Sequence, residues 1–166
     1  MPTLTCLPQS ICSWEYSISV DDSEMIASTK FNFWNEQGSF VLAGNHYRIE
    51  HAWLSAEWSL NLEGEAVALA VKPNPLTRFF EVFYANQKLV LRAESPLTRT
   101  FLIEQDEQVL GTIQPMHLFT RRALVDCSSS VAMPVQIFLF WLTVLMWKRA
   151  ANNSTARGGA AGGSGC

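Results

Sequence analysis

The chain has 166 residues, a formal charge of −3 and 16% charged residues, so it suits one domain with a core of useful size and has no electrostatic excess for generic nucleic-acid binding. Its 48% hydrophobic and 11% aromatic content is that of a folded domain and excludes a disordered one. Charge is unevenly spread: residues 1–71 hold only Lys30 and Arg48 against nine acidic residues, whereas 72–122 hold seven basic against five acidic, which directs any anion-facing surface to the second half.

The N-terminus, MPTLTCLPQSIC, has no basic region followed by an apolar run, so it does not read as a secretory signal and a cytoplasmic location is expected. Residues 1–13 read as an N-terminal arm. Cys6, Cys12, Cys127 and Cys166 match neither a CxxC pair nor a zinc pattern, and a reducing compartment would leave them as thiols.

From Trp14 the dominant period is two. Short runs rich in aromatic and β-branched residues alternate with polar or Gly/Pro/Asn/Asp punctuation, which predicts strands over 14–20, 29–34, 39–44, 46–53, 56–63 and 65–72. The series continues over 78–85, 87–94, 97–104, 107–114 and 120–127. About eleven strands at this spacing predict an all-β sandwich or barrel. Asn86-Gln87, Ser95-Pro96 and Asp106-Glu107 have hairpin length, and Pro73-Asn74-Pro75 is the strongest internal break, a loop between two halves of one sheet system. No internal repeat rises above this hairpin rhythm.

The period changes after Ser128-Ser129-Ser130. Ser130 is a suitable N-cap, Pro134 falls in the first turn, and Lys148-Arg149 suit the last turn, so a helix is predicted over 131–150. Its apolar side chains, among them Ile137, Phe138, Phe140, Trp141, Leu142, Leu145, Met146 and Trp147, cover the whole circumference. Such a helix lies either in a bilayer or at the centre of a protein. The uncharged run 131–147 is 17 residues long, short of the about 20 that a span requires, and it contains Gln136 and Thr143. A closed barrel wider than about eight strands has a lumen that side chains alone do not fill, and this helix would fill it. The remaining residues, 151–166, ANNSTARGGAAGGSGC, are expected to be a disordered tail, so that 14–150 is the single domain.

The runs FEVFYANQKLVLRA (80–93) and RTFLIEQDEQVLGTI (99–113), followed by a wholly apolar helix ending Trp147-Lys148-Arg149, resemble the tubby C-terminal-like superfamily, which includes tubby proteins, phospholipid scramblases and LURP-one-related proteins. The resemblance covers 14–150 in architecture and 78–149 in motif. It implies a mainly β fold: a closed antiparallel barrel of about twelve strands with the hydrophobic C-terminal helix threaded through its centre. Tubby domains bind phosphoinositide headgroups through basic residues, and scramblases act at membranes with a calcium-binding segment. This chain has neither a DxDxDG-type calcium loop nor a dense Lys/Arg cluster.

The case for catalysis is weak. His46 and His51 point to opposite faces of an extended strand, His117 stands apart, and no further metal ligands can be nominated. There is no GxSxG, no cysteine with a placed histidine, and no phosphate-cradling glycine loop, so a non-enzymatic protein without cofactor or metal is expected. The binding candidates are Arg78, Lys88, Arg92 and Arg99. Lys88 and Arg92 share a strand face, and if the neighbouring strands are adjacent all four would form a loose patch for anionic lipid or a phosphorylated ligand. The plain alternative is cross-strand pairing with Glu81, Glu94 and Glu104. Arg121-Arg122 and Lys148-Arg149 flank the helix on both sides and give no membrane orientation. The expected function is a binding or scaffold module of tubby/LURP-one-like type, peripheral at anionic membranes. The alternatives are a β-domain anchored as a single-pass membrane protein through 131–147, and a lipocalin-like carrier of a small ligand.

Overall fold

A computed structural model describes residues 2–21 and 23–157. Its strands are β1 (Thr3–Pro8), β2 (Tyr16–Val20), β3 (Met25–Asn32), β4 (Gln37–Leu42), β5 (Asn45–His51), β6 (Glu57–Leu62), β7 (Glu65–Val71), β8 (Phe79–Tyr84), β9 (Gln87–Ala93), β10 (Phe101–Gln105), β11 (Gln108–Pro115) and β12 (Ala123–Cys127). One helix, α1 (Met133–Arg157), follows them. Each strand pairs antiparallel with its neighbours in sequence, and β1 pairs with both β2 and β12 to close the barrel. The period-two pattern is the cause. Leu89 and Leu91 of β9 point into the lumen and are fully buried, while Lys88, Val90 and Arg92 between them face outward.

Two boundaries differ from the sequence reading. Residues 1–13 are not an arm, because TLTCLP forms the strand that closes the ring, with Leu4 and Cys6 buried inside it. Its proline stands at the strand's last position, where no central ladder donor is lost. The helix also continues past residue 150 to Arg157, since ANNSTAR contains no glycine or proline to stop it. The rest of the expected tail, 158–166, lies outside the described residues. Ser130 is not the N-cap: the helix starts at Met133, and the Ser130 carbonyl instead accepts the Tyr84 hydroxyl at 3.0 Å.

Every residue of α1 from Val135 to Trp147 is buried, at most 6% exposed, which places the helix inside the barrel with strands on all sides. Among the described residues no helix is long and apolar enough to cross a membrane. The apolar run expected either to span a bilayer at 131–147 or to be enclosed is enclosed, which corrects the anchor alternative. It also leaves a lipocalin-like ligand no room in the lumen. Trp141 stacks on Phe31 with ring centroids 4.3 Å apart, and Phe140 meets Tyr16 edge-on at 4.9 Å. The two polar groups of the run bond to the helix's own chain: Gln136 Nε2 donates to the Val131 carbonyl at 2.8 Å and Thr143 Oγ1 to the Leu139 carbonyl at 3.0 Å. Each large side chain so buried contributes about 1.5–3 kcal/mol.

Two outcomes are expected. Deleting residues 131–150 should abolish cooperative thermal unfolding by circular dichroism, and a truncated chain that still melts cooperatively would show that the barrel stands without its helix. A methyl group added at Gly38 of β4 would press into the Trp141 indole and come within 2.6 Å of the Lys30 carbonyl oxygen. Gly38→Ala should therefore lower stability by about 1–3 kcal/mol in denaturant titration.

Candidate functional site

The two ends of the barrel are built differently. At one end β4–β5, β6–β7, β8–β9 and β10–β11 are joined by two-residue turns, Ala43-Gly44, Glu63-Gly64, Ala85-Asn86 and Asp106-Glu107. All eight of these residues have positive φ, the type I′ conformation that matches strand twist. The helix enters from this turn end. The opposite end carries six longer loops, 9–15, 33–36, 52–56, 72–78, 94–100 and 116–122, and the helix leaves among them.

Each of the six loops projects a large apolar side chain into solvent: Ile11, Trp34, Trp53 with Leu54, Leu76, Leu97, and Leu118 with Phe119, exposed at 81–100%. Elsewhere among the described residues the next most exposed large hydrophobic is Met25, at 63%. Charge follows the same axis. The loop end holds Lys72, Arg78, Arg99, Arg121, Arg122, Lys148 and Arg149 against Glu15, Glu36 and Glu94, whereas the turn end holds Asp21, Glu24, Glu63, Asp106 and Glu107 and, among the described residues, no basic one.

Three of these cations hold the loops in place. Lys72 is buried, and its ammonium donates to the carbonyls of Asn74 at 2.7 Å, Pro75 at 2.9 Å and Thr77. Burial, with the charge of Arg149 second, lowers its pKa. Arg78 donates through Nη1 to the carbonyls of Pro96 at 2.9 Å and Thr98 at 3.0 Å in the next loop. Arg99 repeats the device one loop further on, reaching the Thr120 carbonyl at 2.8 Å while stacking 4.6 Å over Trp147. Burial lowers the pKa of both arginines. The loops are thus tied from below and their apolar tips are left outside.

The four candidate cations therefore do not form one patch. Arg78 and Arg99 belong to the loop end, but Lys88 and Arg92 sit on the outer wall. Lys88 Nζ lies 2.6 Å from Glu81 Oε1, and Arg92 bonds both carboxylate oxygens of Glu104, at 2.6 and 2.8 Å. The Glu104 hydrogen bond raises the Arg92 pKa. The expected cationic face is instead two ordinary cross-strand pairs.

Sequence reading also missed a repeat. Pro75-Leu76-Thr77-Arg78 and Pro96-Leu97-Thr98-Arg99 are the same tetrapeptide, and Leu118-Phe119-Thr120-Arg121 varies it, each placing an apolar tip three or two residues before an arginine at the loop end. The PLTR identity was the signal available for finding this surface.

Chemistry is sparse. Glu36 accepts both Arg149 Nη2 contacts, at 2.6 and 2.7 Å, and lies 3.7 Å from His51, which stacks on Trp58. Among the described residues no group of three or more His, Cys, Asp or Glu is placed to hold a metal. Cys6 and Cys127 are buried free thiols, whereas Cys12 is disulfide-bonded, contrary to the expectation of four thiols. Burial pushes the Cys127 thiol up to about 11 and Cys6 higher still, so neither offers a thiolate near neutral pH. No family model, curated protein or solved structure matches this chain.

Arg78→Ala should release the 94–100 loop and make it the first site of limited proteolysis, with the barrel's melting little changed. At pH 8, a maleimide should leave Cys6 and Cys127 unlabelled in the folded protein and label both after denaturation, as read by peptide mass spectrometry.

Proposed function

We propose that this protein is a non-enzymatic binding module that docks peripherally on anionic membranes through the loop end of its barrel, as the resemblance to tubby and LURP-one-related proteins also implies. The observation that carries this reading is the coincidence, at one end only, of exposed apolar tips with a surplus of cations. Trp and Phe at loop tips suit the headgroup boundary, where an amphipathic ring finds both apolar and polar surroundings. Burying apolar tips at that boundary is favourable, and each nearby cation adds roughly 1 kcal/mol of attraction to an anionic leaflet. The acidic turn end is repelled by the same surface, so the axial charge separation orients the barrel although the chain as a whole is negative. The filled lumen supports the same reading, because it confines binding to the outside of the barrel.

Co-sedimentation tests the proposal. The protein should pellet with vesicles of phosphatidylcholine containing phosphatidylserine, less so with pure phosphatidylcholine, and less as salt is raised. Leu97→Glu with Phe119→Glu should abolish pelleting, while Lys88→Gln with Arg92→Gln should leave it nearly unchanged because those residues lie on the wall. Absence of pelleting at low salt, or sensitivity to the wall pair instead of the tips, would overturn the assignment.

A further inference from the structure

Two tryptophans stand in solvent on neighbouring loops of the loop end, Trp34 at 100% exposure on 33–36 and Trp53 at 86% on 52–56. Their loops are fixed at the base. The Trp34 amide donates to Asn32 Oδ1 at 3.1 Å. The Ala52 amide donates to the Glu57 carbonyl at 3.1 Å, the Ser55 amide to the Ala52 carbonyl at 3.0 Å, and His51 Nε2 meets the Ser55 carbonyl at 2.9 Å. Two large rings are thus held out in water by ordered backbone, which costs free energy that a ligand on the ring faces would recover.

Between the two loops opens a cleft of about 410 Å³, lined by Trp34, Glu36, Gln37, His51, Trp53 and Arg149 among others. Its charge is cancelled from within, because Arg149 Nε and Nη2 both bind the Glu36 carboxylate, at 2.6–3.0 Å. Donors and acceptors remain side by side. Asn35 Nδ2 donates to Gln37 Oε1 at 2.8 Å, which leaves Asn35 Oδ1 to accept and Gln37 Nε2 to donate. With Nε2 given to the Ser55 carbonyl, His51 Nδ1 of the neutral ring is an acceptor, and it faces Glu36 Oε2, another acceptor, at 3.7 Å. A ligand hydroxyl would supply the donor wanted there.

We propose that this cleft binds an uncharged saccharide, a pyranose ring laid on the Trp34 and Trp53 indoles with its hydroxyls turned to Asn35, Gln37 and His51. One face of a pyranose carries C–H bonds, whose positive hydrogens suit the negative face of an indole, while its rim carries hydroxyls that both donate and accept. Open platforms fit such a ligand, since its other face stays hydrated. A quaternary ammonium would be repelled by Arg149 and would leave the polar atoms unmatched. A polyproline peptide offers carbonyls alone and would leave the acceptors unpaired. The ring could come from a free oligosaccharide or from a neutral glycolipid, and the free form reaches the cleft whether or not the barrel docks on a membrane.

Indole N–H signals of the whole protein, followed by NMR, test the proposal during titration with cellobiose, maltose, lactose and mannobiose, with glycerol as the control polyol. At least one disaccharide should shift the Trp34 and Trp53 signals saturably, with a dissociation constant on the order of 1 mM, and glycerol should not. Trp34→Ala, read at Trp53, and Trp53→Ala, read at Trp34, should each weaken binding about tenfold, and both positions are too exposed for folding to depend on them. Met25→Ala, at the turn end, should leave it unchanged. A second arm compares pelleting with phosphatidylcholine–phosphatidylserine vesicles with and without glucosylceramide, so that membrane docking is common to both. Added pelleting with glucosylceramide that Trp34→Ala removes would assign the ring to a glycolipid headgroup. Shifts with a disaccharide but no such gain would assign it to a free saccharide, and would stand even if neither vesicle binds. Shifts with glycerol equal to those with every disaccharide, or shifts with decaproline and with no sugar, would overturn the site. No response to any disaccharide and no gain from glucosylceramide would overturn it as well and leave docking to its own test.

Discussion

A helix with no polar face and a twelve-stranded barrel with more lumen than its own side chains can fill each lack what the other supplies. The helix needs cover on every side, because any exposed stripe of Phe138, Trp141 or Leu145 would be open to association. The barrel needs volume, because strands closed at this number stand too far from the axis for inward Leu and Val to meet. Enclosure answers both, and the details conform to it: small Gly38 where Trp141 presses on the wall, Tyr16 and Phe31 turned to meet Phe140 and Trp141, Gln136 bonded to the Val131 carbonyl just before the helix, and Thr143 bonded to the Leu139 carbonyl within it.

That arrangement also makes the two ends unequal. Adjacent antiparallel strands can be joined by two residues, and four of the turns at one end are of this minimal kind. The other end has to let the helix out, and its loops are longer there. Longer loops have carbonyls without ladder partners, and Lys72, Arg78 and Arg99 supply the donors. Cations recruited to satisfy backbone leave the loop end positive and leave the loop tips free to be apolar. The charge axis thus follows from the direction of the helix, and Lys148 and Arg149, where the buried stretch of the helix ends, extend it.

The fold was largely legible in the sequence because its signals are local and periodic. Alternation along β5 to β11 and the loss of that alternation after Ser130 need no knowledge of partners. The first strand was missed because TLTCLP is short and flanked by prolines, and its identity as a strand depends on β12, more than a hundred residues away. The extent of the helix beyond residue 150 was missed because polar residues without a breaker read equally well as tail. The site was less legible. Lys88 and Arg92 were rightly placed on one face, but whether a cation is free or paired depends on what stands across the strand, and Glu81 and Glu104 stand there. Residues with scattered numbers, Ile11, Trp34, Trp53, Leu76, Leu97 and Phe119, became one surface only when the barrel closed.

By itself, then, the sequence determined the kind of element at nearly every position and the single place where strands give way to a helix, since period and apolar content are properties of contiguous residues. Tertiary structure alone decided where the apolar helix finds its cover, which cations are neutralised, and that the loop tips share an end. Those outcomes depend on ring closure, which joins residues at opposite extremes of the chain through hydrogen bonds between strands, and no local pattern encodes which strand will be the last neighbour of the first.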